Sequence, residues 1–162
     1  MRVKETKLLL RMLDEAYEKA AWHGPNLRGS IRGLSARQAA WRPAKGRHNI
    51  WEIVVHAAYW KYAVRRRLLD EKRGGFPCHG SNWFARPSGS KELNEHSWRR
   101  DVALLARTQK ELRATVERLD PSALDRKSRG SRHTQRRMIT GIALHDVYHA
   151  GQIQLLKRLQ KS

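Results

Sequence analysis

"GIALHDVYHAGQIQLLKRLQ", residues 141–160, carries two histidines inside what is otherwise the apolar rhythm of a helix. Taken with Met138 just before the stretch, Ile142, His145, His149, Ile153 and Leu156 recur at steps of four, three, four, four and three. That is one stripe of an amphipathic helix, expected over about residues 135–160. Both imidazoles therefore face inward, where an ionisable ring needs a reason to be.

Working outward, three more segments show the same periodicity. Residues 3–22 place Leu9, Leu13 (or Met12), Ala16 and Ala20 on one face and stop before "HGPN", where Gly24 and Pro25 end a helix. A second helix begins after Asn49, a capping residue whose Glu52 can reach back to it. This helix turns Ile53, His56, Trp60 and Val64 inward and runs to about Lys72. The third, about 91–119, has the cleanest stripe: Trp98, Val102, Leu105, Gln109, Leu112, Val116 and Leu119. No segment alternates as a strand does. Four amphipathic helices in one domain spanning 1–162 predict an all-α four-helix bundle. Its connections are long and structured. Ser35 and Gln38 resemble a capping box for a short helical turn, and Phe76, Trp83 and Phe84 should fold the loop of about 74–90 over the body.

The charge balance sets the surface. Thirty-four Lys and Arg against 15 Asp and Glu leave +19, which invites polyanions, nucleic acid included. Six cations (Arg126, Lys127, Arg129, Arg132, Arg136 and Arg137) fall between positions 126 and 137 with no acid among them, and Arg65, Arg66 and Arg67 form a second knot. Consecutive helical residues fan out, so that second knot cannot lie along one phosphate backbone, and a solvated cationic surface is the simpler reading. A single cysteine, Cys78, closes no internal disulfide and fits a reducing cytoplasm. No apolar run is long enough to span a membrane, and the first twenty residues lack a secretory core, so a cytoplasmic protein is expected.

His145 and His149 lie one helical turn apart and can grip one metal ion through two ring nitrogens. His56, inward on another helix, can reach the same depth in a bundle. Three neutral imidazoles leave coordination positions open to water or substrate, as catalytic sites do. The competing reading is three buried histidines, each satisfied by a carbonyl and a water. "HDVYH" also matches the H-E-x-x-H zinc-protease pattern with Asp for Glu. Asp is one methylene short and no third downstream ligand follows, and helical geometry puts Asp146 and Tyr148 off the ligand face. His23, His48, Trp22, Asn26, Asn82 and Trp83 are candidates to border a pocket, with capping or packing the simpler account of each.

"HDVYHAGQIQLLKRL", together with "RPAKGRHNIWEIVVHAAYWKYAVRRRLL" upstream, resembles the DinB-like family of small four-helix metalloproteins. The resemblance extends from "AWHGPN" to the last helix. It implies a divalent metal, usually zinc or nickel, on His56, His145 and His149. It also implies that Gly151 permits a close backbone approach and that Gln152 orients His149. Thiol-dependent S-transferases, an isomerase and hydrolases occur in related branches. The resemblance therefore implies a small-molecule substrate, with a low-molecular-weight thiol as one class, and a homodimer. The metal would activate water or thiol. Cys78 has no base to make it a nucleophile.

Overall fold

The computed structural model describes residues 2–86 and 93–161. Six α-helices follow in the order α1 (Arg2–Tyr17), α2 (Leu27–Ile31), α3 (Ala36–Ala40), α4 (Ile50–Leu68), α5 (Glu95–Glu117) and α6 (Gln135–Leu159), with a single 3-10 turn at Pro121–Asp125 before the last. Among the described residues there is no strand, only one isolated antiparallel bridge between Lys127 and Thr134. The fold is all-α, with α1, α4, α5 and α6 as the four long members of the bundle. Each of α4 and α1 packs on both α5 and α6. No helix of the described residues is long and apolar enough to cross a membrane.

The helix ends follow local chemistry. Asn49 and Glu52 form the expected capping box at α4, and Ser35 and Gln38 form another at α3. Such caps satisfy amide groups that a helix start leaves orphaned. The first helix is shorter than its periodicity suggests. It stops at Tyr17, because the Glu18 and Lys19 amides both close onto the Asp14 carbonyl while Asn26 Nδ2 donates to the Lys19 carbonyl at 2.8 Å. Asn26 Oδ1 also caps α2, and Ala20 is left exposed in place of the buried face expected for it. At the end of α4, Asp70 takes a left-handed conformation (φ 53°), which stops the helix at Leu68 instead of Lys72. The α5 cap is Asn94, which accepts from the Ser97 amide at 2.6 Å. The expected start near residue 91 and the loop residues 87–90 lie outside the described residues.

Two buried clusters fill the bundle. One joins the first half of α4 to α2, α3 and α5, with Ile153 and Leu156 of α6. The other joins Leu9 and Leu13 of α1, Val64 and Leu68 of α4, Leu112 and Val116 of α5, and Met138 to Ala143 of α6. The ends of α4 and α6 thus meet in opposite order, so the two helices run antiparallel. The loop after α4 is pinned as expected: Phe84 is buried, and Phe76 and Phe84 pack against Tyr59 at centroid separations of 5.3 and 5.4 Å. That places residues 82 and 83 over the seam between α4 and α6.

Candidate metal centre

His56 of α4 meets His145 and His149 of α6 at this seam. The three Nε2 atoms converge: His145 Nε2 lies 3.1 Å from His56 Nε2 and 3.0 Å from His149 Nε2. One ligand atom from each ring can be chosen so that all three lie within 4.8 Å of one another. These separations are close to the roughly 3.3 Å edge of a tetrahedron with arms of about 2.05 Å, the zinc–imidazole length.

The outer nitrogens decide what the inner ones offer. His56 Nδ1 is 2.8 Å from the Asn82 carbonyl, and His149 Nδ1 is 2.7 Å from Gln152 Oε1. Both partners are acceptors, so both Nδ1 atoms carry the proton and both Nε2 atoms present a lone pair. His145 Nε2 sits between those two acceptors and has at most one proton to give, so hydrogen bonding among the three rings cannot satisfy all of them. A cation shared by three lone pairs can. His145 Nδ1 itself is buried with no partner among the described residues.

Electrostatics favour the same state. Burial drives all three histidines below their usual value of 6.5: His145 to about 3, aided by the neighbouring rings and Lys61, His149 to about 4, and His56 in the same direction. The rings are neutral at pH 7, as ligands must be.

Around the centre, the loop supplies more than the sequence promised. Trp83 is sandwiched between His48 and His56, stacked at 3.6 and 3.8 Å. Glu52 holds His48 by an Nδ1–Oε2 contact of 2.9 Å and pairs with Arg42 through both carboxylate oxygens. Burial opposes the Glu52 charge, but these bonds outweigh it and its carboxyl titrates below the ordinary range. Asn82 accepts from Trp60 Nε1 at 2.9 Å while its carbonyl holds His56, with a left-handed backbone (φ 70°) that makes both contacts possible.

Of the expected pocket residues, His48, Asn82 and Trp83 are therefore at the site. Trp22 and His23 are exposed in the turn after α1, and Asn26 is a cap. Gln152 orients His149 as the resemblance implies. Gly151 does not admit a close backbone: a side chain there would meet nothing within 4 Å. Asp146 lies off the ligand face, as its helical position requires, yet is fully buried on the Lys61 ammonium. Lys61 also donates to Gln109 Oε1 at 2.7 Å, which explains a glutamine in the apolar stripe of α5. Burial pushes Lys61 down and Asp146 up against their mutual attraction. The hydrogen-bond partner of Cys78 is a donor: Arg86 Nη2 lies 3.0 Å from Sγ, beside a cavity of about 740 Å³ that touches none of the three histidines of the centre.

A helical bundle that brings three imidazole nitrogens from two adjacent helices to one point defines a class, bundle proteins with a centre able to hold a metal ion. The DinB superfamily matches residues 20–153, a span that includes all three histidines, and the chain belongs to that family. No curated protein and no solved structure matches it.

Proposed function

We propose that this protein is a metal-dependent enzyme whose three-histidine centre activates water or a low-molecular-weight thiol for hydrolysis or S-transfer. The observation that carries the reading is the convergence of three Nε2 atoms, two of them fixed as lone-pair donors from outside by Asn82 and Gln152. A bound zinc or nickel ion would supply Lewis acidity, lowering the pKa of a water or thiol enough to yield a nucleophile at neutral pH. The protein's part is positioning. His56, His145 and His149 are the ligands; Asn82 and Gln152 fix ring orientation; Trp83 covers one face of His56 and limits access of solvent there. The net charge of +19 favours anionic cosubstrates, among them thiols that carry carboxylates.

The reading is tested by assaying thiol transfer and ester hydrolysis in zinc-loaded and nickel-loaded protein beside His149→Ala. Turnover that disappears in the variant and on chelation is expected. Turnover unchanged by either treatment would contradict it.

We also propose a homodimer formed through the outer side of α6, where Tyr148, Leu155 and Leu159 are 62%, 58% and 44% exposed alongside Gly151. Sedimentation of wild type as a dimer and of Leu155→Glu as a monomer is expected; a monomeric wild type at micromolar concentration would refute it.

A further inference from the structure

The seam between α4 and α6 does not end at the histidines. Beyond His145 it opens into a cavity of about 540 Å³ walled by Trp60 and Val64 of α4 and by Ile142 and Leu144 of α6. Its far end is basic: Arg67, in the last turn of α4, and Arg137, in the first turn of α6, both line it. Those two arginines differ from their neighbour Arg136, which is held by Glu5 and Asp125. Among the described residues neither Arg67 nor Arg137 has a carboxylate within ion-pair distance, and Arg67 rests over the Trp60 ring at 5.8 Å. Arg137 and His145 are eight residues apart on one helix, about 12 Å along its axis.

The cleft thus has three parts in line: a candidate metal centre at one end, an apolar channel, and at the other two guanidinium groups that have no carboxylate partner among the described residues. We propose that it binds the substrate, and that the substrate is an amphipathic anion, with an apolar alkyl or aryl body lying between Trp60 and Ile142 and a carboxylate engaged by Arg67 and Arg137. Apolar walls with a few placed polar groups are how small-molecule sites fix orientation, and guanidinium groups are suited to carboxylates. The assignment of this ligand as substrate rests on the metal-centre reading; its binding does not.

Gly141 provides a way to test it. It lines the cleft, and a Cβ added there meets nothing within 4 Å, so Gly141→Trp attaches an indole at the channel wall without displacing packed atoms at its point of attachment. The probes are decanoate, its neutral counterpart decanol, and acetate, titrated by calorimetry into full-length protein in zinc-loaded and chelator-treated form, with bound metal measured on the same samples. Saturable decanoate binding is expected in both forms. It should be weakened about tenfold or more by Arg67→Gln with Arg137→Gln and abolished by Gly141→Trp, with acetate bound far more weakly. The double variant should leave decanol binding unchanged.

Decanoate affinity that is indifferent to the arginine pair, or to Gly141→Trp, would overturn the proposal, as would no decanoate binding. Metal retained without decanoate binding would sink the cleft and spare the centre. Decanoate bound by protein that takes up no zinc or nickel would sink the centre and its substrate assignment, and leave the anion cleft standing.

Discussion

Lys61 and Asp146 give the sharpest energetic prediction. Both side chains are fully inaccessible to solvent, and they bind each other across the interior between α4 and α6. Replacing Lys61 by Met leaves the Asp146 carboxylate buried without its cation, in a place where its Oδ1 already has no hydrogen-bond partner. Breaking one side of a buried pair costs about 3–5 kcal/mol. Gln109 Oε1 loses its donor as well, which adds about 1 kcal/mol or more. The sum, about 4–6 kcal/mol, is a large share of the roughly 5–15 kcal/mol that holds a domain folded. Replacing both partners, Lys61→Met with Asp146→Leu, removes the charge along with its counter-ion and should recover most of the loss. Urea denaturation at 25 °C followed by circular dichroism measures both. Because Asp146 points away from the histidine rings, the double variant should also keep its metal. A Lys61→Met protein within about 1 kcal/mol of wild type, or a double variant no more stable than that single one, would refute the reasoning.

Gln152→Ala should lower zinc affinity by about 10- to 100-fold with little change in fold stability, since it removes the acceptor on His149 Nδ1; competition with a chromophoric chelator reads this out. Asn49→Ala should cost about 1 kcal/mol through loss of the α4 cap, measured by thermal unfolding. Metal-free protein should lose stability as pH falls below about 6.5. The unfolded histidines take up protons there, while folded His149 and His145 resist until about 4 and 3, so the unfolded state binds more protons across that window. Glu52 acts in the same direction at lower pH, its contribution being lost as pH falls through its lowered folded value. A melting temperature flat from pH 7 to 4.5 would contradict this assignment.

The bundle was legible because its long helices advertise themselves by period. The stripe of α5 and the histidine-bearing stripe of α6 both lie where spacing puts them, and Asn49 and Ser35 cap as their residue types require. Helix ends were less legible because contacts and backbone turns outside the apolar stripe set them, as when Asn26 holds the Lys19 carbonyl and Asp70 turns left-handed. The three histidines could be read from two stripes. Their support was legible in part: Gln152 follows from the resemblance, and His48, Asn82 and Trp83 were candidates to border a pocket, but the contacts of Asn82 and Trp83 with His56 depend on the path of an irregular loop, which has no period to read. Trp83 gave only the weak signal of an aromatic among polar residues. Lys61 lies outside the Ile53, His56, Trp60 and Val64 stripe of its helix, so periodicity did not single it out. Its one sign was indirect: the glutamine at position 109 in an apolar stripe, which needed a polar partner.

The most direct test of the account is metal stoichiometry, by inductively coupled plasma mass spectrometry, of tag-free protein purified without chelator and of His56→Ala prepared alongside it. About one divalent ion per chain in the first and none in the second is the expected result. Wild-type protein that takes up neither zinc nor nickel at neutral pH, or a variant that keeps its full complement, would contradict the three-histidine centre.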